Sequence, residues 1–416
     1  MWKTKINPRS KVWRLVLLFL LGSFAIVSAG RGWMNAQLPE HSEDFQWKPT
    51  RVLVQGENPY ASYLSGEQKG WKADEEGVYF FPNYPITAYG FLLPLGMLDH
   101  DTATSIWSLV NIGAGLGCLV LLWIISGKGR GYWWLIAGCL FFASTSVRDL
   151  ISIGQHSIPV IFCLLAAVWA SGRKWVWLSG VFLALSWIKF TITVPLGVWF
   201  IWKKRWKEAA IALGIHLVTF AWICLWTKTG PITYLTGFQE MAKATLELSE
   251  FVPDVYALSS LIELTPGMPS SFSLFAPVLM IALTAWWAMK WSGGSTLQLL
   301  ALLAFPASLA WFHLRYDQVL LLLPLVWVLT TAVGRPIQSL VLIMLASNWF
   351  LPRIAHRVVG ETGDIVFVDR FFSVITWSCW IAVFYLVAGL RTRSDHAPTL
   401  VREKKQFESA VATEAV

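Results

Sequence analysis

Charge is what this chain has least of. Asp, Glu, Lys and Arg make up 14% of its 416 residues, against roughly a quarter in an ordinary soluble domain. With 56% hydrophobic residues, a water-soluble fold would have too little polar surface to cover its core, so lipid must be the solvent. No Gly-x-x-x-x-Gly-Lys-Ser/Thr loop occurs, which excludes nucleotide hydrolysis of that kind. No His-Glu-x-x-His motif and no paired cysteines occur, so no metal and no cofactor are implied. The five cysteines (Cys118, Cys139, Cys163, Cys224 and Cys379) all lie inside apolar runs and read as packing residues. No internal repeat or inverted pseudo-symmetry is visible, which argues against a secondary transporter. Gly113-x-x-x-Gly117 reads as helix packing.

Tryptophan and phenylalanine are abundant instead, at 26 and 25 residues, the kind of aromatic mass that gathers at membrane interfaces. The net charge of +8 does not point to nucleic acid, because the basic residues fall in short clusters between apolar runs. The apolar runs lie at about 12–29, 104–125, 132–147, 157–170, 175–202, 208–226, 272–289, 295–310, 318–333, 337–351 and 371–390. If every basic cluster is cytoplasmic, the run 175–202 crosses twice, as two short helices meeting near Lys189. The stretch 84–98 then does not cross and suits an interfacial helix on the outer leaflet. This predicts an all-α polytopic protein of about twelve spans, with both termini inside and the first helix uncleaved, although Val27-Ser28-Ala29 could serve as a signal cleavage site. Inside segments then hold 20 Lys/Arg and outside segments 13, the asymmetry that sets orientation in the plasma membrane. The expected organisation is one membrane domain over 1–390, with long outer segments at 30–103, 227–271 and 352–370. The charged tail 391–416 is expected to be cytoplasmic and disordered.

Polar residues that could carry chemistry cluster on the expected outer side. Asp44 follows the first helix closely, in Glu43-Asp44-Phe-Gln-Trp47. It is either a functional carboxylate or one solvated acid among Glu40, Glu43 and Glu57. Lys189 stands between two apolar halves, where an ammonium costs roughly 3 kcal/mol or more unless it reaches water or an anion. It either snorkels from an outer turn or meets a lipid phosphate. Two short outer turns add Arg148-Asp149 with Gln155-His156, and Trp311-Phe-His313-Leu-Arg315-Tyr-Asp317. In each turn the Arg and Asp can pair with one another or contribute to a site for an anionic lipid headgroup.

The order of these motifs resembles glycosyltransferase family 87. Asp44-Phe is followed by Gly56-Glu-Asn-Pro-Tyr60, Tyr84-Pro85, Leu93-Pro94-Leu95 and a Trp107–Asn111 helix. Gly154-Gln155-His156-Ser157 with Ser179-Gly180 and Ile188-Lys189 is similar to that family's middle section. Trp311-Phe-His313 leading into Leu323-Pro324-Leu325 is similar to its later outer turn. The resemblance covers roughly 40–330, with two departures: Ser157 stands where the family often has Asn, and Leu314 where it has a second His. It implies a GT-C-like membrane enzyme that moves a sugar, often mannose, from a polyprenyl-phosphate carrier to a lipid or glycan hydroxyl on the outer face, with inversion. On that implication Asp44 is the base, Lys189, Arg315, His313 and Arg148 hold the donor phosphate, and Tyr60, Tyr84, Gln155, His156 and Trp311 line the substrate pocket. A transporter or flippase of a lipid-linked saccharide is the alternative, and an inactive scaffold of the same fold is a third.

Overall fold

The computed structural model describes residues 8–38, 44–66, 78–127, 131–249, 270–291, 295–309, 315–330, 339–350 and 374–387, and these are built from helices. The first part runs α1 (Pro8–Ala36), α2 (Trp47–Val54), α3 (Pro59–Ser65), α4 (Ile86–Gly96) and α5 (His100–Ile125). The middle runs α6 (Gly131–Ala143), α7 (Thr145–Ser152), α8 (Ser157–Gly172), α9 (Val176–Ser186), α10 (Phe190–Trp202), α11 (Trp206–Trp226) and α12 (Pro231–Ser249). The last part runs α13 (Ser270–Trp291), α14 (Thr296–Leu309) and α15 (Leu322–Thr330), then α16 (Ser339–Phe350) and α17 (Val374–Val387). The tail 391–416 and most of 227–271 beyond α12 lie outside the described residues.

Among the described residues, four segments are long and apolar enough to cross a membrane: Leu15–Ala36, His100–Ile125, Val176–Trp202 and Trp206–Trp226. The pair α6 and α7, bent by 51°, makes a fifth if taken as one span. Their outward faces are apolar. Phe19 is 73% exposed on α1, and Leu225 is 79% exposed on α11, a cost that only lipid removes. The protein is therefore a membrane protein, helical throughout its described elements.

Contacts at the two ends of α8 show how the apolar run 175–202 is used. At the N-terminal end of α8, Ser157 meets Lys189. At its other end, Ser171 donates to Glu208, in the first turn of α11, at 2.8 Å. The chain has therefore travelled the length of α8 and returned between 175 and 206, turning at Lys189 as the charge pattern predicts. The turn is a 3-10 step over Trp187–Lys189, closed where Thr193 Oγ1 donates to the Ser186 carbonyl at 2.8 Å. The other two corners are tight: Lys174 and Lys204 each hold a positive φ, 65° and 52°, a conformation common just past a helix end.

Between α1 and α5 the short helices have clear local causes. Asn58 caps α3 by accepting from the Tyr60 and Ala61 amides, with Pro59 in the first turn. Asp99 caps α5 through the Thr102 amide at 2.9 Å. One face of α4, the stretch expected to lie on the outer leaflet, packs against the rest of the protein. Ala88 and Tyr89 are fully buried, and Gly90 lets Thr219 and Ile223 of α11 approach to where a β-carbon would stand. A helix of 11 residues is too short to span and too apolar to be left facing water, so it docks between α2 and α11.

Candidate functional site

The site forms where the ends of α7, α8, α9 and the 315–321 turn converge under the segment between α1 and α5. Asp44 is brought there by its backbone, whose amide donates to the Ile153 carbonyl at 3.1 Å. Gly154 makes this docking possible. Its φ is +73° and an added β-carbon would lie 2.6 Å from that of Phe45, so both the turn and the close approach require glycine. Asp44 is 3% exposed. It is not the solvated carboxylate that its acidic neighbourhood allowed.

Two glutamines hold Asp44. Gln155 Nε2 donates to Asp44 Oδ2 and Gln46 Nε2 donates to Oδ1 at 3.3 Å. The orientation of the Gln155 amide is fixed from its other end. Its Oε1 accepts from the Tyr84 hydroxyl at 2.9 Å, the His156 amide at 2.7 Å and the Lys189 ammonium at 3.1 Å. With three donors on the oxygen, the nitrogen must face the carboxylate. Gln155 thus links a buried anion to a buried cation through one planar amide.

Lys189 is 9% exposed, buried rather than snorkelling to an interface. Its ammonium donates to Gln155, to Ser157 Oγ at 3.0 Å and to Asp317 Oδ1 at 2.7 Å. Ser157 in turn donates to Asp317. The acid in this turn, for which pairing with Arg315 was one of two expected uses, reaches the lysine 128 residues earlier. Arg315 begins the same 3-10 segment, Arg315–Leu321. Trp311 and His313 lie outside the described residues. Arg148 bonds its neighbour Asp149, with Nε to Oδ1 at 2.8 Å, the pairing that was one of its two expected uses.

Tyrosines form the wall. Tyr60 donates to the Tyr84 carbonyl at 2.6 Å, so it positions Tyr84. Tyr89 donates to Gln46 Oε1 at 3.1 Å and accepts from the Tyr84 amide at 3.1 Å. Burial pushes the Tyr84 phenol well above its ordinary range, and the charges of Asp44 and Asp317 add to this, so it is a hydrogen-bond donor and not a base. His156 lies between the Tyr84 and Trp107 rings, at 4.9 and 4.8 Å. It is fully buried and neither ring nitrogen has a hydrogen-bond partner. Burial, with the Lys189 charge behind it, pushes the imidazole down to about 3. At neutral pH it is uncharged, and suits a hydroxyl better than a phosphate.

Gln46, Tyr89, Ser157 and Asp317 are site residues that sequence reasoning did not select. Asp317 stands out within its turn, but local spacing gives no sign of its contact with Lys189. Ser157 was visible as a departure from Asn, and its hydroxyl is what lets it serve both Lys189 and Asp317. Gln46 and Tyr89 gave no signal beyond lying near Asp44 and Tyr84.

Comparison with known families gives one result. The model of glycosyltransferase family 87 matches residues 81–312, more than half of the chain. No curated protein and no solved structure matches significantly.

Proposed function

Because the chain belongs to glycosyltransferase family 87, we propose that it transfers a sugar from a polyprenyl-phosphate carrier to a lipid or glycan hydroxyl, with Asp44 as the base. The observation that carries this reading is the buried Asp44 carboxylate linked through one amide, Gln155, to the buried Lys189 ammonium. That arrangement sets a proton acceptor and a cation at the two ends of one amide.

In the proposed step the acceptor oxygen attacks the anomeric carbon as Asp44 takes its proton. The bond from that carbon to the phosphate oxygen breaks on the opposite face, which inverts the configuration. The electron pair leaves with the phosphate. Phosphate needs charge stabilisation rather than a proton, a task that falls to Lys189, with His313 and Arg315, close to Asp317 in the sequence, as the further cations of the proposal. Arg148 is engaged by Asp149 and is left out of this set. The neutral imidazole of His156 and the Tyr84 hydroxyl are suited to sugar hydroxyls. Mannose is the sugar first tested, on the family's habit.

The membrane arrangement belongs to the same proposal. Counting α1, α5, α6 with α7, α8, α9, α10, α11, α13, α14, α15, α16 and α17 gives twelve passes. Residues 1–390 then make one domain and the tail 391–416 is cytoplasmic. Segments 30–103 and 227–271 and the site face the outer side of the plasma membrane. The short helices among the twelve need flanking polar residues to complete their crossings. The test is transfer of radiolabelled sugar from polyprenyl-phosphate mannose, glucose and arabinose by the purified protein. Transfer from one of them supports the enzyme; transfer from none, with movement of the intact lipid between leaflets, favours the flippase.

A further inference from the structure

Lys189 is already occupied. An ammonium has three N–H donors, and Gln155, Ser157 and Asp317 receive from it at 3.1, 3.0 and 2.7 Å. A phosphate can bind it only by displacing one of these. The shortest contact is to a carboxylate that is 2% exposed, delivered from a distant part of the chain, which the transfer step does not use. A buried ion pair stabilises a fold weakly, because desolvation offsets most of the attraction. Packing alone therefore gives little reason for Asp317.

The reaction gives one. The donor is a phosphodiester with a single negative charge. The leaving carrier is a phosphate monoester, which carries ≈ −1.5 to −2 at pH 7. The proton given up by the acceptor goes to Asp44, so the lipid leaves more negative than it arrived. A lone lysine would hold the product more tightly than the substrate, and the site would stall after one turnover. We propose that Asp317 is the residue that releases the product: it yields Lys189 to the donor phosphate and takes the ammonium back once the sugar has moved, so that polyprenyl phosphate dissociates. Ser157, bonded to both Lys189 and Asp317, keeps the carboxylate within reach during the exchange. Asp317 acts through Lys189 and is a positioning residue, not a catalytic one.

This role rests on the donor reading above, and its test separates the two. Binding of polyprenyl phosphate and of polyprenyl-phosphate mannose is measured on the full chain in detergent, for the parent, Asp317→Asn and Asp317→Glu. Pre-steady-state transfer is recorded alongside. The parent is expected to bind the monoester no more than tenfold more tightly than the diester. Asp317→Asn, which keeps the shape and an acceptor for Lys189, should bind the monoester at least tenfold more tightly than the parent does. It should also show a first-turnover burst followed by a slow steady state, and Asp317→Glu should remove the burst. A parent that already prefers the monoester by more than tenfold overturns the proposal even if neither variant folds. So does an Asp317→Asn variant that binds the monoester no more tightly than the parent does and shows no burst, and in both cases the donor reading stands. A parent that binds neither lipid removes the donor reading and this role with it.

Discussion

Replacing Lys189 by Met isolates the energetics of the buried pair. The variant keeps the length of the side chain and removes the charge, leaving the Asp317 carboxylate at 2% exposure with the Ser157 hydroxyl as one donor. Loss of one partner of a buried ion pair typically costs about 3–5 kcal/mol. Protonation of Asp317 sets a ceiling on that cost. Neutralising an ordinary carboxyl of pKa near 3.9 at pH 7 takes about 4 kcal/mol, at 1.36 kcal/mol per pH unit. Unfolding in detergent, followed by the fluorescence of the 26 tryptophans, should therefore show a loss of about 3–4 kcal/mol at pH 7. In the variant the carboxyl's folded-state pKa is raised, so the unfolded state releases the proton first as pH rises. The variant should regain stability relative to the parent as pH falls, by up to about 2.7 kcal/mol between pH 7 and pH 5. The double variant Lys189→Met, Asp317→Leu should lose less than Lys189→Met alone, because the buried carboxylate that has lost its ammonium is gone. If the two single losses simply add in the double variant, the pair is not coupled and the reasoning about Lys189 is wrong.

Other outcomes follow from the same geometry. Gly154→Ala should lower transfer by at least tenfold, because the positive φ and the 2.6 Å approach to Phe45 would push Asp44 from its place; parent-level transfer would break that link. Gln155→Glu sets a carboxylate against Asp44, so the two share a proton, and the acid limb of the pH–rate profile should move up by about one unit or more. Tyr60→Phe removes the 2.6 Å bond to Tyr84 and should cost about 1 kcal/mol of stability, with transfer reduced less than by Gly154→Ala. His156 stays neutral in the fold, down at about 3, while an unfolded histidine takes up a proton below about 6.5. The parent therefore loses about 2 kcal/mol from this residue between pH 7 and pH 5, and His156→Phe should show a correspondingly flatter acid decline in unfolding experiments.

Much of this fold is legible in the sequence because lipid imposes simple rules. Low charge and long apolar runs mark the membrane helices, and the basic clusters at Arg173–Lys174 and 203–207 require the chain to turn back at Lys189, as the contacts of Ser171 and Glu208 show. The role of α4 is not legible. Its apolar, proline-broken sequence suits a lipid surface as well as a protein interior, and nothing in it marks the close approach of α11 to Gly90. Asp44, Gln155 and Lys189 stand out individually, and the structure brings them together. What the sequence hides is their connection. Asp317 lies two residues from an arginine and 128 from the lysine it bonds, and local spacing carries no information about a contact made by tertiary packing.

The most direct test of the central claim compares the parent with Asp44→Asn and Asp44→Glu in transfer of radiolabelled sugar from its polyprenyl-phosphate carrier. Asp44→Asn keeps the shape of the side chain, the backbone bond to the Ile153 carbonyl and one of the two side-chain acceptors that Gln155 and Gln46 use, and its folding is checked by unfolding in detergent beside the parent. It lacks a proton acceptor, and its rate should fall by roughly 10²–10⁴, while Asp44→Glu, with a displaced but intact carboxylate, should retain more activity. An Asp44→Asn variant that folds and transfers sugar within tenfold of the parent would contradict the account, because the buried carboxylate would then not be the base.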